Sequence, residues 1–122
     1  MNKSLNRYLY AIRTLKEKYH CVRAIDVSHY LGFSKASVSG AVRQLREREM
    51  IEVEPDGNLN FTPAGERHCE QLESRVAFFE QLLRAAGVDG AQALRDAVSF
   101  SWEMSEASFE AFQRLKEKTS KA

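Results

Sequence analysis

Apolar side chains at Leu5, Tyr8, Leu9, Ile12 and Leu15 recur at spacings of three and four, the mark of one buried helical face, and predict a first helix ending near Lys18. Ile25, Val27, Tyr30 and Leu31 predict a short second helix that Gly32 stops, because glycine enters a left-handed turn at least steric cost. Ser34 is placed to cap a third helix, on which Val38, Ala41, Val42 and Leu45 fall within about 100° of arc and are expected to face a core. Beyond Met50 the period changes from helix to strand. Ile51-Glu52-Val53-Glu54 alternates, Pro55-Asp56-Gly57-Asn58 reads as a turn, and Leu59-Asn60-Phe61 alternates again, which predicts a hairpin. Thr62 then caps a new helix with Pro63 at its first position and Glu66 placed to interact with the helix start. Cys69, Leu72, Val76, Phe79, Leu83 and Ala86 carry that helix to a stop at Gly87, and Phe78 and Leu82 widen its stripe. A helix over Ala91 to Met104, with Leu94, Val98, Phe100 and Trp102, and a last one capped by Ser105, with Phe109, Phe112 and Leu115, complete the pattern.

A short helix, a glycine turn, a capped helix and a hairpin make a winged helix-turn-helix. The expected fold is therefore mainly α, with a winged-helix head over residues 1–62 and a helical dimerisation domain over 63–122. At 122 residues and 43% apolar composition the chain can bury a core. No run of some twenty apolar residues occurs and the N-terminal stretch is amphipathic, so neither a membrane span nor a secretory leader is expected, and a cytoplasmic location is. Cys21 and Cys69 lie far apart and form no Cys-x-x-Cys pair, which favours two reduced thiols.

Charge sharpens the picture. Net charge is only +1, yet residues 1–48 hold ten Lys and Arg against three acidic residues, a surplus of seven positive charges, and the remainder carries eight basic against fourteen acidic residues. A basic head suits a polyanion. On the outer arc of the third helix lie Ala36, Gly40 and Arg43, flanked by Ser37, Ser39 and Gln44. Small residues let a backbone approach base edges in a major groove, Arg43 has the reach for guanine or phosphate, and Lys35 with the helix's first amides, at the Ser34 cap, suits a phosphate. Ser34, Lys35, Ala36, Ser37, Ser39, Gly40, Arg43 and Gln44 are thus the expected DNA-binding residues. The hairpin tip Asp56-Gly57-Asn58, with Glu52 and Glu54 nearby, repels phosphate, so weak wing contacts are expected.

Six of the twelve aromatic residues fall between Phe78 and Phe112; they can form an intrachain core, but three helices with this much aromatic surface and no sheet also suit a two-fold dimer, which is the expectation. The expected interface is Leu72, Val76, Phe79, Leu83, Phe100, Phe109 and Phe112. No arrangement of nucleophile, base and orienting group recurs, and no phosphate-binding glycine loop is present, so an enzyme is not expected. A DNA-binding transcriptional regulator acting as a homodimer, in all expectation a repressor, is the leading reading. A winged-helix protein-interaction module or antagonist is the alternative.

The runs Tyr8-Leu9-Tyr10-Ala11-Ile12, Val22-Arg23-Ala24-Ile25-Asp26-Val27, Leu31-Gly32-Phe33-Ser34-Lys35-Ala36-Ser37-Val38, Leu59-Asn60-Phe61-Thr62-Pro63-Ala64-Gly65 and Phe79-Glu80-Gln81-Leu82-Leu83, with Gly87-Val88-Asp89, resemble the diphtheria toxin repressor and manganese transport regulator family. The resemblance covers nearly the whole chain, and the length is similar to short two-domain members. It implies a winged-helix DNA-binding head, a helical dimerisation domain and repression switched by Mn or Fe. The positions where the family carries its metal ligands fall here on Arg7, Tyr10, Val76, Val98, Ser101 and Trp102, none a strong hard-metal ligand. No metal, cofactor or small-molecule ligand is therefore expected; double-stranded DNA and a second copy of the chain are.

Overall fold

The computed structural model describes residues 2–121 in the order α1 (Lys3–Lys18), α2 (Ala24–Leu31), α3 (Lys35–Glu47), β1 (Ile51–Val53), β2 (Leu59–Phe61), α4 (Pro63–Ala85), α5 (Gly90–Ser101) and α6 (Glu106–Lys121). Two compact units divide between Glu73 and Ser74, inside α4. The change of secondary structure at residues 62 and 63 is thus not where the units part, because the first turns of α4 are bonded to the head. Among the described residues, no helix is long and apolar enough to cross a membrane.

In the first unit, Leu5, Tyr8, Leu9, Ile12 and Leu15 are all buried, joined by Val22, Val27, Val38, Ala41, Leu45, Ile51 and Leu59. Val42 is only half-buried. The second helix departs from its pattern: Val27 and Ser28 are buried, whereas Tyr30 is 52% exposed and Ile25 also faces solvent. Eight residues make barely two turns, so only one narrow line of side chains can reach the core. Gly32 ends α2 at φ 72°, the left-handed conformation expected of it. Ser28 Oγ spans this turn, donating to the Phe33 carbonyl at 2.6 Å, and the Phe33 ring meets Tyr8 edge-on at 5.8 Å.

The hairpin is antiparallel, with Ile51 opposite Phe61, Glu52 opposite Asn60 and Val53 opposite Leu59. It is stitched to the segment before α2: Leu59 N–H donates to the Val22 carbonyl at 2.8 Å, and Val22 N–H to Asn58 Oδ1 at 2.9 Å. Thr62 caps α4 as its position requires, accepting from Gly65 N–H at 3.0 Å. Glu66, the acidic residue of the first turn, also accepts from Arg13 Nη1 on α1. Arg13 Nε lies 3.2 Å from Glu73 Oε1, and His68 Nε2 hydrogen-bonds Asn6 Oδ1 at 2.8 Å. These links hold the first three turns of α4 on the head.

In the second unit α4 ends at Ala85, and Gly87 turns the chain with φ 96°. Asp89 caps α5 through Ala91 N–H at 3.2 Å, and Ser105 caps α6 through Ser108 N–H at 3.2 Å. The buried line of α5 is Ala93, Ala97 and Ser101. Of the large side chains chosen from the pattern, Leu94 is exposed, Val98 and Phe100 are half-buried and only Trp102, at the C-cap, is buried. Beside this line, rings from three helices meet: Phe79 of α4 lies 4.9 Å from Phe100 of α5 and 5.8 and 5.9 Å from Phe109 and Phe112 of α6. Arg75 closes the α5–α6 corner, donating to the carbonyls of Ser101 and Met104 and to Glu106, each at 2.9 Å, with its guanidinium 4.7 Å over Phe109.

Candidate nucleic-acid interface

Helix α3 is positioned by its buried face, and its outer face is what remains. Val38, Ala41 and Leu45 anchor it. Ser34 accepts from Ser37 N–H at 3.1 Å and donates to Ser37 Oγ at 2.9 Å, so both hydroxyls are engaged in the cap while staying open to solvent. Lys35, Ala36, Ser39, Arg43 and Gln44 are exposed and Gly40 is half-buried. All eight residues singled out from the sequence thus share one accessible strip of the helix and its cap. A Cβ added at Gly40 would meet only Arg43 Nη2, at 3.8 Å; no core atom requires glycine there. The guanidinium of Arg43 lies beside that bare stretch of backbone. Its reach and the open backbone suit a base edge or phosphate approaching from outside.

Beside this strip, Ala24 and Ile25 of α2 and Lys35 and Ser39 of α3 line a hollow of about 340 Å³. Ile25, one of the apolar residues that predict α2, lies on this rim, a place legible only once the crossing of α2 and α3 is known.

Two of the hairpin's acidic side chains are engaged: Arg23 Nε donates to the Asp56 carbonyl at 2.7 Å, Arg23 Nη2 lies 3.7 Å from Asp56 Oδ2, and Asn60 Nδ2 donates to Glu54. Lys16 Nζ reaches Asn60 Oδ1 at 3.2 Å and Asn58 Oδ1 at 3.5 Å. Sequence reasoning missed Arg23 and Lys16, which lie far from the hairpin along the chain.

Residues 1–59 match the family described as Iron dependent repressor, N-terminal DNA binding domain. The chain is also 26% identical over 114 residues to the transcriptional regulator MntR of Escherichia coli O6:H1, covering 93% of this chain and 74% of that protein. Over its head and most of its length the chain is similar to members of the diphtheria toxin repressor and manganese transport regulator family. Its fold is similar to that of IdeR from T. acidophilum, with a TM-score of 0.74 at 24% identity over 94% of this chain and 53% of that one. A hypothetical protein from Sulfolobus solfataricus is similar at a TM-score of 0.69 and 19% identity, over 97% of this chain and 91% of that one. The fold class and the repressor-type winged-helix head read from the sequence are those of this family.

The metal implied by the family does not suit the residues present. Arg7 is exposed and cationic, Val76 and Trp102 are buried and apolar in their reach, and Val98 offers only hydrocarbon. Tyr10 and Ser101 bring hydroxyls alone, and Ser101 Oγ is spent on the Ala97 carbonyl. Hard divalent cations take carboxylate, carbonyl or imidazole donors. Among the described residues, no three His, Cys, Asp or Glu side chains converge on a point.

Of the residues expected at a dimer interface, Leu72, Val76, Phe79 and Phe109 are buried in the single chain, and Leu83 and Phe100 are half-buried. A side chain already covered has little surface to give a partner. Phe112 remains 42% exposed, and Leu94 and Leu115 are exposed at 43% and 59%.

Proposed function

We propose that this chain is a transcriptional repressor of the family that reads double-stranded DNA through α3, as a homodimer and without Mn or Fe as its switch. The strip from Ser34 to Gln44, small-residued at its start and ending on Arg43, carries the reading. Its rigid seating, through the Ser28 bond across the Gly32 turn and Phe33 against Tyr8, supports a preformed reader. The donor-poor positions Arg7, Tyr10, Val76, Val98, Ser101 and Trp102 support independence from metal. Exposed Phe112, Leu94 and Leu115 support pairing of two copies, which would place the two α3 helices on half-sites about one DNA turn, roughly 34 Å, apart. No small-molecule ligand is part of the reading, and its place of action is the cytoplasm, with the DNA.

Selection of duplexes from a random pool, followed by fluorescence anisotropy across salt, tests it. Specific binding that falls steeply with salt is expected. Affinity is expected to stay within about twofold between chelator and added Mn, Fe or Zn. Tight stoichiometric metal uptake by calorimetry, coupled to a large gain in affinity, would overturn the metal-independent reading. The acidic hairpin favours a second reading, a protein-interaction module; no duplex binding at any salt would select it.

A further inference from the structure

The hairpin poses an electrostatic conflict. A wing flanking a recognition helix lies near phosphates, yet this one carries Glu52, Glu54 and Asp56. The molecule answers with a residue outside the wing. Arg23, at the N-cap of α2, extends over the hairpin turn: its Nε donates to the Asp56 carbonyl at 2.7 Å and its Nη2 lies 3.7 Å from Asp56 Oδ2. Its stem runs along the glycine of the turn, where an added Cβ would be 3.4 Å from Arg23 Cδ. Backbone ties fix both ends of this arrangement. Asp26 accepts from Arg23 N–H at 2.9 Å, and Val22 is bonded to Asn58 and Leu59.

We propose that Arg23 is a positioning residue for DNA binding, which masks the Asp56 carboxylate and holds the wing tip where it can lie beside a phosphate. This rests on the DNA-binding reading above. Its content is that the arginine acts through Asp56, rather than by a phosphate contact of its own. A guanidinium that cancels a carboxylate a few ångströms away removes repulsion that would act across the Debye length of about 8 Å at physiological salt. Arg23 is about half exposed, so the pair is a screen for charge more than a stabiliser of the fold.

The test is a double-mutant cycle on the full chain with Arg23→Ala, Asp56→Asn and the pair, measuring affinity for one selected duplex at low and physiological salt, with thermal melts as a control on folding. Arg23→Ala is expected to weaken binding about five- to tenfold at low salt, less at higher salt. Asp56→Asn alone is expected to bind as well as or better than the parent, and Arg23→Ala with Asp56→Asn to return within about twofold of it. Arg23→Gln, which keeps the stem packing, should behave as Arg23→Ala does. A double variant as weak as Arg23→Ala would overturn the proposal in favour of a direct phosphate contact, and an Arg23→Ala variant equal to the parent would overturn it outright. Failure of the parent to bind any duplex would instead reject the DNA reading, and this inference with it.

Discussion

Arg13 on α1 is forked between two carboxylates of α4: its Nη1 donates to Glu66, and its Nε lies 3.2 Å from Oε1 of Glu73, seven residues further along the same helix face. The hydrogen bond to Glu66, with the charge of Glu73 adding to it, raises the guanidinium pKa above its usual value. Cys69 is buried on the stretch between the two glutamates. One cation therefore ties the start of α4 to α1 with no exchangeable ligand. Both glutamates are more than a third exposed, so solvent screening holds the contribution to about 1 kcal/mol. Arg13→Ala is expected to lower unfolding free energy by about that amount, and Glu66→Gln to cost much less in the Arg13→Ala background than in the parent. Urea melts of the four proteins give the coupling; strictly additive losses would show that the fork contributes nothing.

The periodic elements were legible because burial and chain geometry share a period. Helix faces and the caps Ser34, Thr62 and Ser105 follow from side-chain chemistry within a few residues, as do the stops at Gly32 and Gly87. The failures share a cause as well. Weight given to large apolar residues put Leu94, Val98, Phe100 and Trp102 forward for α5, whereas its buried line is Ala93, Ala97 and Ser101, with Trp102 buried just beyond it. The partners of Arg13 and Arg23 lie tens of residues away, and nothing local distinguishes these arginines from solvated ones. The exposed outer face of α3 was readable because it is the complement of a local periodic pattern; the contact of Arg23 with the hairpin tip needed the fold.

Gly40 separates stability from binding. With only the mobile end of Arg43 near its would-be Cβ, Gly40→Ala fits without strain and removes the backbone entropy cost of a mid-helix glycine. It is expected to stabilise the head by about 0.5–1 kcal/mol. If a base edge approaches that backbone, the added methyl group is expected to weaken duplex binding about tenfold. Thermal melts and anisotropy on the same sample check both halves; a stabilised variant with unchanged affinity would move the reading surface away from Gly40.

His68 makes the head sensitive to acid. Burial lowers its pKa below the ordinary imidazole value of 6.5, and Nε2 is bonded to Asn6 Oδ1. The unfolded chain therefore takes up its proton first as pH falls through 6.5, so stability contributed by neutral His68 is present above 6.5 and is lost progressively toward the lower folded pKa. His68→Gln is expected to lower stability somewhat at pH 8 and to flatten its decline as pH falls below 6.5. Melts across that range decide it; identical slopes in both proteins would exonerate His68.

The two thiols should separate kinetically. Cys69 is buried and burial pushes its pKa up to about 12, with the nearby Arg13 charge opposing only in part. Its reactive thiolate is thus scarce at any ordinary pH. Cys21, in the segment before α2, is only half-buried. Under iodoacetamide at pH 8, Cys21 is expected to be alkylated promptly and Cys69 only as fast as the head opens, a ratio measurable by mass spectrometry of the digest. Equal rates in native protein would show that the α1–α4 contact around Cys69 opens freely.

Gly65 is needed for closeness rather than for a special backbone angle. It sits in the first turn of α4, and a Cβ there would lie 2.0 Å from the Met50 carbonyl oxygen. That carbonyl is already the acceptor for Thr62 N–H at 3.1 Å and Thr62 Oγ1 at 3.2 Å, so it cannot swing away without breaking the joint between hairpin and helix. The Phe61 ring, 3.3 Å from the same point, closes the other side. Gly65→Ala is expected to cost about 3 kcal/mol or more, against the gain that alanine brings to an open helical site such as Gly40. Comparing the two variants by urea denaturation isolates the effect: opposite signs follow from the packing described, whereas a neutral Gly65→Ala would mean that α4 does not approach Met50 this closely.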